Sequence, residues 1–282
     1  MESDDAPVGR VLSRRSALTL FGVAGVAFTA VGGTAIASAG TRDRHVPSPT
    51  GSIDCVAKPE MTEGPYYVDE GLNRSDIRID TADGSTAAGT PLLLTLRVLQ
   101  LGASGCGPLP AATVDLWHCD AAGTYSDIAA EGTTGHNYLR GYQVANSGGT
   151  VRFTTILPGW YQGRTVHIHV KIRTTGTDGN AYEFTSQLYF TEEFKTAYLA
   201  TAPYAATGTP DTTNSTDMHY ANGGDQMLLT PTRARRGFAA TFGIALDLSD
   251  TAVGADDSFQ LPGGGGPGTP PSGPPPSSAP AA

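Results

Sequence analysis

From residue 91 to residue 190 the chain alternates apolar and polar positions with a period of two. The segments 91–101 (PLLLTLRVLQL), 113–120 (TVDLWHCD), 141–146 (GYQVAN), 150–156 (TVRFTTI), 165–173 (TVHIHVKIR) and 184–190 (FTSQLYF) all carry it. Successive side chains of a strand point to opposite faces, so this pattern predicts half-buried strands. Gly- and Asp-rich clusters separate them: GASGCGP, DAAGTYSD, NSGGT and TTGTDGN, each a turn signal. One helix is predicted, over 191–200 (TEEFKTAYLA), with Thr191 as its N-cap and acids in its first turn. The segment 237–248 (GFAATFGIALDL) reads as a closing strand pair. Short strands at regular spacing with few short helices predict an all-β fold, an antiparallel β-sandwich.

The two ends read differently. Residues 1–39 pair Arg14 and Arg15 with an apolar run from Ala17 to Val31 and a small-residue site at Ala37-Ser38-Ala39. A charged start, an apolar stretch and an A-x-A site make a signal peptide, and the arginine pair points to the twin-arginine route. Secretion to the extracellular side is therefore expected, without a stable membrane anchor, because the apolar run is short and broken by glycine. Residues 40–54 read as a linker, 55–250 as the folded domain, and 251–282 as a disordered tail whose Gly/Pro/Ser/Ala run starts at Leu261.

The chain of 282 residues carries a formal charge of −9, which argues against nucleic acid as a partner. Its three cysteines allow one disulfide in an exported protein. Cys55 and Cys106 lie in loop-like segments and are expected to pair, leaving Cys119 buried in an apolar run.

The chemistry concentrates in 158–169 (PGWYQGRTVHIH). In the strand pattern His167 and His169 share one face, where two imidazoles can bind a single metal ion from a rigid backbone, the alternative being two ordinary hydrogen-bonded polar residues. No carboxylate follows in VKIRTT and no cysteine is near in sequence; the region supplies tyrosine instead, Tyr161 and, in WHCDAAGTYSD, Tyr125. Phenolate is a hard anionic donor, so two phenolates with two imidazoles suit ferric iron better than zinc or cuprous copper. A secreted binding module, or another metalloenzyme on the same sandwich, remains open at this level.

The blocks TEGPYY (62–67), VDLWHCDAAGTYSD (114–127), LRGYQV (139–144), LPGWYQGRTVHIHV (157–170) and QLYF (187–190) together resemble the intradiol ring-cleavage dioxygenases, the catechol and protocatechuate dioxygenases. The likeness covers most of 55–190 in the family's motif order and is nearest to its secreted, single-domain branch. It implies a non-haem Fe(III) held by Tyr125, Tyr161, His167 and His169, and ring opening of an aromatic diol with O2 to a cis,cis-muconate. By the same resemblance Arg164 faces the reacting ring, Tyr161 takes a substrate proton, Gln187 lies beside the ligand set, and Tyr66 and Tyr67 border the substrate pocket. Trp117 and His118 match as packing around the site, while Arg140 reads as part of the core's polar network or, alternatively, as a substrate contact. Only five residues separate Tyr161 from His167, fewer than in the best-known catechol and protocatechuate enzymes, so the resemblance does not carry the choice of diol. The helical segment through which catechol enzymes dimerise is not recognisable, which leaves the oligomeric state open.

Overall fold

The computed structural model describes residues 55–250. The expected signal segment (1–39), linker (40–54) and tail (251–282) lie outside the described residues. Within the described residues, ten strands form two five-stranded sheets. The first sheet is built on β1 (Pro91–Gly102), with β10 (Phe238–Leu246) along one edge and β9 (Thr232–Arg233) beyond it. The other edge of β1 is shared: β5 (Thr150–Ile156) pairs with its first half and β2 (Gly105–Pro108) with its end. The second sheet runs β4 (Arg140–Val144), β3 (Thr113–Trp117), β6 (His167–Thr175), β7 (Ala181–Phe190), β8 (Leu228–Leu229).

The core lies between the sheets. Leu92, Leu94, Leu96 and Val98 of β1 are buried while Leu93 and Arg97 between them are exposed; Ile168, Val170 and Ile172 of β6 face the same core. Alternation at period two therefore sets which face is inside. The helix α1 (Glu192–Leu199) begins as predicted, its Thr191 side chain accepting a hydrogen bond from the Phe194 N–H.

Three expectations are corrected. The sheets are mixed rather than antiparallel, because β1 pairs parallel with β10 and β7 with β8. Parallel neighbours need a long crossover, and the 3-10-rich stretch between α1 and β8 supplies chain for it. The segment 237–248 is one strand, not a pair, since all of Phe238–Leu246 finds partners on β1 without turning. The cluster GASGCGP holds a short strand as well as a turn, and its Cys106 is bonded to Cys55 as expected, with Cys119 free and buried.

The second sheet departs from a simple sandwich in one way that matters. His167, His169 and Lys171 point away from the core yet are buried: Gly64 lies beside His169, Glu63 and Tyr67 lie against Lys171, and Tyr161 stands against His167. The segment before β1 is tied to β7 by Met61 N–H to Thr185 O (2.8 Å), Ser186 Oγ to Pro59 O (2.8 Å) and Gln187 Nε2 to Thr62 O (3.1 Å). Among the described residues no helix is long and apolar enough to cross a membrane.

Candidate metal centre

Strand register places a row of side chains across the second sheet. Arg140 pairs with Trp117, Trp117 with His169, and His169 with Gln187, while His167 stands opposite Tyr189. Paired residues share a face, so four strands deliver these groups to the covered side.

His167 and His169 turn their Nε2 atoms toward each other at 3.0 Å. The Nδ1–H of His167 is given to the Thr165 carbonyl at 2.6 Å, so its Nε2 carries the lone pair. Tyr161 comes from the loop between β5 and β6, its hydroxyl 3.2 Å from the same Nε2. Tyr125 comes from the loop after β3. There Asp120 Oδ1 accepts from the N–H groups of Ala122 and Thr124, and the Tyr125 backbone is held by Glu131 and Thr133. The Tyr125 ring lies 5.7 Å from that of Tyr161 and 6.2 Å from that of His169, and its buried hydroxyl has no hydrogen-bond partner.

These four groups fit one hard cation. Burial pushes the Tyr125 phenol well up and Tyr161 up to about 12, and it holds both imidazoles well below their ordinary range. The site thus presents two neutral imidazoles and two phenols that ionise only where a strong positive charge stands beside them. An unpartnered phenol and two facing imidazole nitrogens are the donor set such an ion would satisfy. A second trio, Asp80, Asp83 and His136, brings ligand atoms within 4.8 Å of one another but shares no residue with this set, and His136 Nδ1 is already paired with Asp80 at 2.7 Å.

The surrounding groups are placed as follows. Arg164 donates from Nε to Asp217 (2.8 Å) and from a terminal nitrogen to Gln187 Oε1 (2.5 Å). Burial lowers its pKa, but Tyr161 and Asp217 outweigh that and keep it cationic. Gln187 Oε1 also accepts from Tyr189 (2.9 Å). Tyr66 is buried and stacked on Tyr125 at 4.4 Å, inside the aromatic cluster. Tyr67 stands farther out, packed on Trp117 with the Lys171 ammonium over its ring, so the two adjacent tyrosines occupy different places. Arg140 donates to the carbonyls of Tyr66 and Ser126.

Sequence reasoning missed Asp217, Glu131 and Tyr189, and left His219, in DMHYANGGD at the site rim, out of the site set. His219 is electrostatically coupled to both site histidines, and burial holds its own pKa at about 4. Only Tyr189, at the i+2 position from Gln187 on one strand face, left a usable signal.

The family model described as dioxygenase matches residues 62–230. Over 105 residues the chain is 32% identical to catechol 1,2-dioxygenase of Acinetobacter baylyi, covering 37% of this chain and about a third (32%) of that protein's length. In structure it is similar to an intradiol ring-cleavage dioxygenase from Tetranychus urticae (TM-score 0.59, 27% identity, 72% of this chain and 98% of that one). It is also similar to the dioxygenase domain of a dioxygenase–carbohydrate-binding fusion from Streptomyces sp. SirexAA-E (TM-score 0.50, 29% identity, 68% and 99%). Fold and matched model define a dioxygenase-type sandwich. The chain belongs to the intradiol ring-cleavage dioxygenase family.

Proposed function

We propose that this protein opens the ring of catechol-type diols with O2, using a non-haem Fe(III) held by Tyr125, Tyr161, His167 and His169. The bond between the two hydroxyl-bearing carbons breaks and both atoms of O2 enter a cis,cis-muconate-type product. Ferric iron bound there would supply Lewis acidity toward the diol oxygens and electron-accepting power toward the ring.

The chain's own residues supply the rest. Tyr161, less buried than Tyr125 and next to Arg164, would stand as a phenolate beside the bound ion and in that form is the group to take a proton from the diol. Arg164, permanently cationic and fixed by Asp217 and Gln187, stabilises negative charge that develops on the ring. Tyr66, stacked on Tyr125, and Trp117, stacked on His169, exclude water around the donors.

The observation that carries this reading is the meeting of two phenols and two imidazoles beside one partly buried cation, Arg164, drawn from two loops and one strand. Export by the twin-arginine route, suited to a protein that folds around its metal before leaving the cell, belongs to the same proposal. The Cys55–Cys106 disulfide supports it, since such bonds persist in oxidising compartments.

The test is the visible spectrum of the purified protein after loading with ferric iron. A broad tyrosinate-to-iron band that moves to longer wavelength with anaerobic catechol is expected. A folded protein that stays colourless with ferric iron would overturn the reading.

A further inference from the structure

The link that joins Tyr161 to His167 is short and partly exposed, with Gln162 and Gly163 at the surface. It nevertheless carries Arg164, and its Thr165 carbonyl orients the His167 ring. What fixes it comes from far along the chain. In the stretch 211–217 (DTTNSTD) Asp211, Asn214 and Asp217, spaced three apart, grip three consecutive residues of the link.

Asp211 accepts from the Gly163 N–H at 3.1 Å. Asn214 accepts from Thr165 Oγ1 at 2.7 Å and is itself held by Lys195 Nζ (2.6 Å), Glu192 Oε1 (2.6 Å) and the Phe190 carbonyl (2.9 Å). Asp217, whose side chain is fully buried, accepts at Oδ2 from both Arg164 Nε and Thr165 N–H at 2.8 Å. Its Oδ1 accepts the N–H groups of His219 and Tyr220 at 2.9 Å each. Four donors on one buried carboxylate make a rigid anchor, because hydrogen bonds to a charged group are the strong ones.

We propose that the 211–217 stretch is a strap that positions Arg164 and His167, with Asp217 as the positioning residue through which both are set. Asp217 meets neither substrate nor metal; it acts through the guanidinium and through the Thr165 peptide. A neutral amide there cannot replace it. The side chain left by Asp217→Asn keeps one acceptor oxygen but turns N–H donors toward either the Arg164 and Thr165 donors or those of His219 and Tyr220, so one of the two pairs of contacts is lost. The role assigned to Arg164 rests on the proposed function, whereas the hold on His167 does not.

The test uses Asp217→Asn and Asn214→Ala in the full chain, with Asp211→Asn at the exposed end of the strap. In metal-free, 15N-histidine-labelled protein the downfield His167 imidazole N–H signal, assigned by its absence in His167→Gln, reports the bond to Thr165. Asp217→Asn should shift or abolish that signal and lower kcat/KM on catechol about 100-fold, mostly in kcat, as misplacement by an ångström does. Asn214→Ala should move both readouts in the same direction by less. Folded Asp217→Asn with the His167 signal unmoved and kcat/KM within about twofold of wild type would overturn the proposal. Should Asp217→Asn fail to fold, unmoved readouts in folded Asn214→Ala and Asp211→Asn would overturn it equally. If wild type neither takes up ferric iron nor turns over catechol, the proposed function falls while the His167 signal still reads the strap.

Discussion

Trp117 lies flat on the imidazole of His169, ring centroids 4.7 Å apart and planes within 7° of parallel. His167 is oriented by a hydrogen bond to Thr165, but the buried Nδ1 of His169 has no such partner, so the indole is what fixes its ring. Groups that orient a ligand typically change metal affinity 10- to 100-fold when removed. Trp117→Leu should therefore weaken ferric iron binding about 10-fold, and Trp117→Phe, which keeps a flat surface, much less. Competition against a chelator, followed at the visible band, measures both.

Gly123 makes the loop that delivers Tyr125. It sits at φ 91°, and a Cβ added there would meet the Trp160 carbonyl oxygen at 2.2 Å. Backbone contact of that kind cannot be relieved by a side-chain rotation. Gly123→Ala should destabilise by more than about 2 kcal/mol in urea unfolding, combining left-handed strain with the clash. Because the loop must move, the same variant should lose most of its tyrosinate absorption. An alanine variant with native stability and colour would show that the loop does not depend on this glycine.

His118 is buried, its Nδ1 2.7 Å from the Cys119 carbonyl and its Nε2 2.7 Å from the Thr155 hydroxyl. Burial first, and the Arg140 charge as well, lower its pKa to about 4. In the unfolded chain the same group titrates near its ordinary 6.5, so between those values the unfolded state binds the extra proton. Its contribution to stability is thus full above pH 6.5 and is lost as pH falls toward 4, about 3 kcal/mol in all. His118→Gln should be less stable at neutral pH yet lose less on acidification, by about one proton's slope. Urea midpoints measured from about pH 7.5 down to about 4.5 give the comparison; parallel curves for the two proteins would contradict the assignment.

The cations around the site are already engaged. Arg164 holds Asp217, Lys171 lies between Glu63 and Glu183, Arg173 binds Asp69 and Asp115, and Arg140 is committed to backbone carbonyls. Two of these groups pair one base with two acids, so the wall beside β6 is net negative. A diol bearing a ring carboxylate would meet like charge with no cation in that wall to receive it. Catechol should be preferred over 3,4-dihydroxybenzoate by about 100-fold in kcat/KM, measured by product absorbance. Equal turnover of the two would show that a cation leaves its partner on binding.

Much of this was legible in the residues alone. Period-two alternation set the strand faces, because a strand's pleat has no other period, and by spacing alone it put His167 and His169 side by side. Thr191 announced the helix that follows it through its capping chemistry, and loop placement of Cys55 and Cys106 pointed to their disulfide. The motif blocks gave the family. Pairing direction was not legible: alternation says which face a residue takes but not whether its neighbour strand runs with it or against it, so the parallel β1–β10 contact came only from the fold.

The same limit applies at the site. The sequence by itself determined which donors exist, two phenols, two imidazoles and a guanidinium, because these are properties of residue type and local spacing. Their burial, and with it the depressed imidazoles and raised phenols, was decided by the packing of distant segments, Tyr66 on Tyr125, Trp117 on His169 and Tyr161 against His167. Tertiary structure alone brought Asp217 to Arg164 across 53 residues and separated Tyr66 from its neighbour Tyr67. Contacts between distant segments depend on the closure of the whole chain, and no local pattern records them.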